Sequence, residues 1–142
     1  MSLLFSFFGR TGRGGFWLGV LCSILAMAIA FGVAYLLFGP PVAAFNADGT
    51  PLPMGAPTGP DTKIVTNVPS IAILAIGYLA AIWIGLATQV KRCHDRGFSG
   101  WWVLLALIPL VGSIWVLVSL GILEGEDGPN VYGLDPRAGK AA

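Results

Sequence analysis

Charged residues are scarce in this sequence: only 11% of its 142 residues are Asp, Glu, Lys or Arg, whereas 56% are hydrophobic. Soluble domains are typically about one-quarter charged, so a water-soluble fold would lack the polar surface that this apolar content requires. The formal net charge is only +1, which excludes the strongly basic surface that nucleic-acid binding needs. We therefore predict a membrane protein with no nucleic-acid partner.

Metal-binding side chains are scarce as well, since the chain has 2 cysteines and 1 histidine. Cys22 lies inside an apolar run and Cys93 lies beside a basic segment, so we expect no disulfide between them. Structural zinc needs about four ligands, which Cys93 and His94 do not supply. The sequence also lacks a nucleotide-binding glycine loop and an identifiable Ser-His-Asp arrangement. We predict no metal site and no cofactor, and we expect that the protein is not an enzyme.

Three apolar runs without a charged residue are each long enough to cross a membrane: residues 16–38, 64–90 and 101–123. A helix rises about 1.5 Å per residue, so each run exceeds the roughly 30 Å of hydrocarbon in a bilayer. The predicted fold class is an all-α membrane protein with three transmembrane helices in one domain, residues 1–142. A cleaved signal peptide is the main alternative for the first run, although the length of the run favours a span.

Two connections and a tail complete the predicted architecture. Residues 39–63 are rich in proline and glycine and show no strand periodicity, so we predict an exposed loop rather than a helix or strands. Residues 91–100 form a short connection, which predicts a tight turn between the second and third helices. Residues 124–142 are polar and turn-rich, and we predict that they form a tail.

The placement of cations predicts the orientation in the membrane. Five of the 8 cations flank one side of the predicted bundle and the others flank the opposite side. Lys and Arg near span ends are retained in the cytoplasm, so we predict a cytoplasmic N-terminus and second connection, and an external long loop and C-terminus. The first group is Arg10, Arg13, Lys91, Arg92 and Arg96, and the second is Lys63, Arg137 and Lys140.

Small residues recur every four positions in the first two runs, which places each set on one helix face. Helices in lipid pack through small residues because these let backbones approach closely. We expect the two faces to meet each other or a partner, although chance in helices rich in Ala and Gly gives the same pattern. The first set is Cys22, Ala26, Ala30 and Ala34, and the second is Gly77, Ala81 and Gly85.

The densest polar cluster lies in the second connection, where His94 stands beside Asp95. This pair suggests acid-base chemistry, but neighbouring residues on a helix point in different directions. Asp95 is the only acid on the predicted cytoplasmic side. We therefore favour a structural charge cluster in which Asp95 pairs with Arg10, Arg13 and Arg92.

The predicted spans contain no Asp, Glu, Lys, Arg or His, which argues against a proton relay or an ion path inside the membrane. Pro109 lies within the third run and removes one backbone hydrogen bond, so we predict a kink there. Tryptophans near span ends are typical of the headgroup layer. The predicted interface anchors of this kind are Trp17, Trp101 and Trp102.

Three stretches taken together resemble the YhaH-like family of small bacterial inner-membrane proteins. They are FGRTGR at 8–13, leading into Phe16-Trp17, then KRCHDRGFSGWW at 91–102, and GPNVYGLDP at 128–136. The resemblance implies a bacterial inner-membrane location, with no established activity, cofactor or substrate. Two features depart from the family pattern: Gly14-Gly15 replaces a common acidic residue, and the long loop looks like an addition.

These observations predict a non-enzymatic accessory or structural subunit that packs against a larger membrane protein complex. One alternative is a small transporter or channel subunit, which the ion-free spans disfavour. Another is a lipid-interacting or stress-responsive membrane protein, with which the basic and aromatic connection is compatible. The expected partners are membrane lipids and a membrane protein of unknown identity.

Overall fold

The computed structural model describes residues 6–53, 56 and 58–138 of the chain. Within them the fold is mainly helical, and two helices are long and apolar enough to cross a membrane: α1 (Arg13–Phe38) and α2 (Val68–Asp95). Their apolar residues lie mostly on the surface, since only 11% of the most apolar stretch of α1 and 22% of that of α2 is buried. Lipid, rather than a soluble core, would cover such surfaces.

The predicted third span, residues 101–123, is not one continuous helix. It begins with a 3₁₀ segment, Gly100–Leu107, and continues after a break as the short helix α3 (Val111–Trp115) and a π-helical segment, Val116–Ile122. Neither part approaches the roughly 20 residues that a helix needs to span a bilayer. The prediction of a third transmembrane helix is therefore not confirmed, since the described residues contain two candidate spans and a shorter apolar region.

The break is a γ-turn, because the amide of Val111 donates to the carbonyl of Pro109 at 2.8 Å and Leu110 has a φ of 64°. Gly112 then packs against the 3₁₀ segment so closely that a Cβ there would lie 2.0 Å from the carbonyl oxygen of Leu105. The predicted kink at Pro109 is thus a reversal of the chain. Residues 100–122 form a hairpin, which we call the apolar hairpin.

The turn after α2 begins later than predicted. Residues 91–95, which were expected in the connection, belong to the last turns of α2. The helix ends in a Schellman motif: the amide of Phe98 donates to the carbonyl of Cys93 at 2.9 Å, and that of Gly97 to the carbonyl of His94 at 3.2 Å. Gly97 has a φ of 72°, a conformation that favours glycine.

The segment between α1 and α2 contains a two-stranded antiparallel sheet, β1 (Val42–Phe45) and β2 (Lys63–Thr66), with Val42 opposite Thr66. The prediction of a strand-free loop is therefore wrong, whereas the mainly helical fold is consistent with the predicted all-α membrane protein. Residues 64–66 belong to β2 rather than to the second span because their β-branched side chains favour a strand. Asn67 then precedes α2, and its Oδ1 accepts from the amide of Ser70 at 3.4 Å, as in an N-cap.

The chain forms two compact units: unit 1 comprises Met1–Leu25 and Ala80–Ala142, and unit 2 comprises Ala26–Leu79. The apolar core of unit 1 contains the buried residues Phe16, Cys93, Val103 and Leu120. In unit 2, α1 and α2 approach closely where a Cβ on Gly77 would lie 2.2 Å from Cβ of Ala30. The polar residues singled out from the sequence lie in unit 1.

Candidate functional site

The site is centred on Asp95, the last residue of α2, which is only 2% exposed. Its carboxylate accepts a hydrogen bond from Nε of Arg10 at 3.1 Å and another from Nη1 of Arg92. The side chains of both arginines are 1% exposed. We call Arg10, Arg92 and Asp95 the buried ion cluster. Because charges out of water are costly unless they are paired and hydrogen-bonded, the remaining donors of the two arginines need acceptors.

Backbone carbonyls at the end of the apolar hairpin provide those acceptors for Arg92. Its Nε donates to the carbonyl of Leu120 at 2.8 Å, and its Nη2 donates to the carbonyl of Leu123. The neighbouring Arg96 donates from Nη1 to the carbonyl of Ser119 at 2.8 Å. Arg92 in the last turn of α2 and Arg96 just after the helix therefore bind the C-terminal carbonyls of another helical segment.

Side chains at the start of α1 bind the two intervening carbonyls, those of Gly121 and Ile122. The indole Nε1 of Trp17 donates to the carbonyl of Gly121 at 3.3 Å, and Nη1 of Arg13 donates to that of Ile122, also at 3.3 Å. Every carbonyl from Ser119 to Leu123 thus accepts a side-chain hydrogen bond. The last carbonyls of a helix have no partner within it and carry partial negative charge. We call the four donor residues the carbonyl clamp: Arg13, Trp17, Arg92 and Arg96.

The C-terminal tail crosses directly over Asp95. The amide of Glu126 donates to the carbonyl of Asp95 at 2.7 Å, and Arg10 donates to the carbonyls of Glu126 and Gly128. A Cβ on Gly125 would lie 1.9 Å from Oδ2 of Asp95, so a side chain larger than that of glycine has no room there. The tail, which was predicted to lie across the membrane from Arg10 and Asp95, therefore contacts both residues, and both ends of the apolar hairpin lie at the same place.

His94 is held by groups other than Asp95. Its ring stacks on that of Tyr132, with centroids 4.0 Å apart and planes 3° from parallel, and its Nδ1 lies 3.3 Å from the carbonyl oxygen of Gly9. The Nδ2 of Asn130 donates to the carbonyl of His94 at 2.9 Å. Among the residues that the structure describes, no group of three or more His, Cys, Asp or Glu side chains is placed to hold a metal ion.

The tail itself is ordered by local hydrogen bonds. Asn130 and Gly133 exchange two backbone hydrogen bonds of 3.0 Å, and the amide of Tyr132 donates to Oδ1 of Asn130 at 2.9 Å. Asp135 accepts from the amide of Arg137 at 2.8 Å and from its guanidinium, and these bonds lower the pKa of Asp135 to about 2. The turn thereby presents Tyr132 to the ring of His94.

The structure brings together three of the four residues predicted for the charge cluster. Arg10, Arg92 and Asp95 meet, whereas Arg13 pairs with the exposed Glu124 at 2.8 Å. Glu124 was not expected on this side because the tail was predicted to be external. Arg13 therefore belongs to the carbonyl clamp but not to the buried ion cluster.

The residues predicted for helix packing have different surroundings. In unit 2, Ala30 faces Gly77, where the carbonyl oxygen of Ala26 is also within 3.8 Å of a built Cβ. Ala34 is buried in the same unit. In unit 1, a Cβ on Gly85 would lie 3.8 Å from Oγ of Ser23, and Ala81 is half-buried.

The predicted interface tryptophans also differ from one another. Trp17 belongs to the carbonyl clamp, Trp102 stacks on Trp115 with centroids 6.0 Å apart, and Trp101 is largely exposed. Gly125, Asn130 and Tyr132 were not predicted to belong to the site. For Asn130 and Tyr132 the signal was available, since all three stretches that carry the family resemblance contribute to this site. Gly125 lies outside those stretches, and no sequence signal pointed to it.

Comparison with known proteins gives a family and several bacterial relatives. The family described as "Protein of unknown function (DUF805)" matches residues 4–134. Inner membrane protein YhaI of Escherichia coli (strain K12) is 40% identical over 67 residues, which cover 46% of this chain and 56% of YhaI. Uncharacterized protein YiiR of the same strain is 25% identical over an alignment of 156 residues, covering 93% of this chain and 86% of YiiR.

A third relative is inner membrane protein YhaH of the same strain, which is 41% identical over 51 residues, or 36% of this chain and 41% of YhaH. The chain thus spans just over half of YhaI and less than half of YhaH. No solved structure matches this chain. The predicted resemblance to small bacterial inner-membrane proteins is confirmed by the family match and by these relatives.

Proposed function

This chain belongs to the DUF805 family of proteins of unknown function. Since the family supplies no activity, we propose from the geometry of the polar site that this site is structural rather than catalytic. The observation that carries this proposal is the occupation of every carbonyl from Ser119 to Leu123 by a side-chain donor. Backbone groups near lipid need internal partners because the hydrocarbon supplies none. The carbonyl clamp meets that need at the end of the apolar hairpin.

The reactive side chains of the site support a non-enzymatic protein. Asp95 lies between two guanidinium groups, and His94 lies between Tyr132 and Gly9. A general acid or base must reach a substrate atom within hydrogen-bond distance. The intramolecular partners of Asp95 and His94 occupy the positions in which a substrate atom would have to lie.

We propose that α1 and α2 cross the membrane and that the apolar hairpin enters and leaves it on one side. Because the hairpin returns to Asp95, the cationic side gains Arg137, while Lys63 lies in the segment between the two helices. Retention of Lys and Arg in the cytoplasm then gives both termini a cytoplasmic position. This topology replaces the external C-terminus predicted from three spans.

Within this frame we propose that the protein is an accessory or structural subunit of a larger assembly in the bacterial inner membrane. The clamp fixes the apolar hairpin, whose large apolar side chains remain exposed, among them Trp101, Leu107 and Leu110. A fixed, irregular apolar surface suits close packing against another membrane protein, which relies on van der Waals contact in lipid.

Gentle detergent extraction from the native membrane, followed by mass spectrometry of co-purifying proteins, tests the accessory role. A stoichiometric membrane protein should be recovered with the wild type and be lost when Trp101 and Leu107 are changed to Ser. The control is Ile29→Ser, which removes a comparably exposed apolar side chain from α1. Recovery of the chain without any stoichiometric protein, or equal loss of the partner in the control, would contradict the proposal.

A further inference from the structure

The N-terminal segment 7–9 runs along the C-terminal part of α2. At one end of the segment, the carbonyl oxygen of Gly9 lies 3.3 Å from Nδ1 of His94. At the other end, the ring of Phe7 packs edge-on against the indole of Trp83, with centroids 5.1 Å apart and planes at 74°. Trp83 lies about three turns before His94 on α2, or about 16 Å along the helix axis. The segment therefore leads from the polar end of unit 1 towards the apolar part of α2.

A glycine permits this course of the chain. Gly9 has a φ of 92°, a conformation that favours glycine. The next residue, Arg10, is fixed in the buried ion cluster by its hydrogen bond to Asp95. The chain therefore turns at Gly9, directly after a segment that packs on α2. The amide of Phe8 donates to Oγ of Ser6 at 3.1 Å, which gives this backbone group the internal partner that it needs near lipid.

The position of Trp83 indicates the depth of the segment in a bilayer. Lys91 is the first charged residue of α2, and Trp83 precedes it by about 12 Å along the helix axis. A helical side chain tilts towards the N-terminus of its helix, which here takes the indole still farther from the polar end. One half of the hydrocarbon layer is about 15 Å thick. If α2 crosses the membrane, the ring of Phe7 therefore lies within the hydrocarbon.

The ring of Phe8 is 90% exposed, and Phe7 connects it to the half-exposed Trp83 on the lipid-facing surface of α2. We propose that this segment is inserted into the leaflet at the polar end of unit 1, with Phe7 seated on Trp83 and lipid acyl chains covering Phe8. The inserted rings then hold the adjoining Arg10, and with it the buried ion cluster, at the level of the headgroups. The inference rests on the proposed crossing of the membrane by α2 and is independent of the accessory role.

Fluorescence quenching in vesicles of phosphatidylethanolamine and phosphatidylglycerol tests the insertion. The full chain carries Cys22→Ala and Phe8→Cys and is labelled with a small thiol-reactive fluorophore. A chain with Cys22→Ala alone gives the background from the buried Cys93. One quencher is a lipid with a nitroxide on its acyl chain, and the other is iodide in the water. We expect the nitroxide to reduce the emission at position 8 at least about twofold more than iodide does, because the label lies among acyl chains.

Two further cysteine positions calibrate the depth. Val131→Cys replaces an apolar side chain that is also 90% exposed, but the adjacent Tyr132 stacks on His94 at the polar end of α2. Iodide should quench this label more strongly than the nitroxide does. Ile82→Cys places the label on α2 beside Trp83, and the nitroxide should quench it if α2 crosses the membrane. Quenching by the nitroxide at Ile82→Cys but not at Phe8→Cys would overturn the insertion alone, whereas iodide quenching at both positions would also overturn the crossing.

A second substitution in the labelled Phe8→Cys chain tests the seat on α2. Phe7→Ala removes the ring that packs on Trp83 and should lower nitroxide quenching by about half or more, since the segment loses its contact with the lipid-facing helix. The control is Phe31→Ala, which removes a ring that stacks on Tyr35 in α1 and should leave the quenching unchanged. Quenching that persists in Phe7→Ala would overturn the seat. Protection of the label from both quenchers would also overturn the proposal, because a protein surface such as a second copy would then cover Phe8.

Discussion

The Nε of Arg92 donates to the carbonyl oxygen of Leu120 at 2.8 Å, and both side chains are fully buried. This bond joins the last turn of α2 to the end of the apolar hairpin, while Nη1 of the same guanidinium donates to Asp95. One side chain thus connects an ion pair to the terminal carbonyls of a helical segment. The planar fork of an arginine can make such bonds in several directions at once, which the ammonium of a lysine cannot reproduce.

Arg92→Lys should therefore destabilise the protein by about 2–4 kcal/mol, because charge is retained while hydrogen bonds to buried acceptors are lost. The measurement is thermal unfolding in detergent, monitored by the reaction of the buried Cys93 thiol with a fluorescent dye. All variants carry Cys22→Ala, so that Cys93 is the thiol that reacts. Arg13→Lys is the matched control, since the side chain of Arg13 is 50% exposed, and it should cost less than about 1 kcal/mol. Equal effects of the two substitutions would contradict the role of the buried hydrogen bonds of Arg92.

Asp95→Asn should destabilise the protein by about 3–5 kcal/mol, because two buried guanidinium groups lose their carboxylate. His94→Gln should cost only about 0.5–1.5 kcal/mol, the range expected for loss of an aromatic stack such as that with Tyr132. Folded yield and melting temperature in detergent compare the two variants. A silent Asp95→Asn, combined with a His94→Gln that abolishes an activity or a bound metal, would show that the site is reactive rather than structural.

Gly125→Ala should destabilise the protein because the added Cβ would lie 1.9 Å from Oδ2 of Asp95. The expected cost is about 1–3 kcal/mol, the range typical of overpacked sites. The control is Gly12→Ala, whose Cβ would make only an ordinary contact of 4.0 Å with Pro136. Melting temperatures of the two alanine variants in the same detergent decide the matter. If Gly125→Ala melts with the wild type, the tail does not pack over the carboxylate as described.

Reporter fusions test the proposed topology. A green fluorescent protein fused to the C-terminus should fluoresce, and alkaline phosphatase fused there should be inactive, because both termini are expected in the cytoplasm. Alkaline phosphatase inserted at Gly49, between β1 and β2, should be active and serves as the external control. An active C-terminal phosphatase fusion would restore the three-span topology and remove the basis of the apolar hairpin.

The contact between Asp135 and Arg137 should make stability depend on acid pH. Hydrogen bonds from Arg137 lower the pKa of Asp135 from 3.8 to about 2, so the folded state favours the carboxylate. The resulting stabilisation is fully present above pH 3.8 and is lost as the pH falls towards 2. The difference in melting temperature between the wild type and Asp135→Asn should therefore be constant at neutral pH and shrink in that interval. A difference that does not change with pH would exclude this contact.

Several features of the fold and site followed from composition and the placement of charges along the sequence. The length and composition of residues 16–38 and of most of 64–90 predicted α1 and α2, since no charged residue interrupts either run. Asp95 was identified as a partner of Arg10 and Arg92 because acids are scarce near these cations. The β-branched residues 64–66 were missed because apolar periodicity does not distinguish a short strand from a helix end.

The sequence by itself determined that this protein lies in a membrane, which stretches of it are long enough to cross, and which family it resembles. Only the tertiary structure decided that residues 100–122 turn back. An apolar run has the same length and composition whether it crosses a bilayer or re-enters it, and a proline marks a break without setting its angle. The outcome depends on acceptors and donors far apart in the chain. The carbonyls of 119–123 find their donors on α1 and α2, and that pairing holds the tail over Asp95.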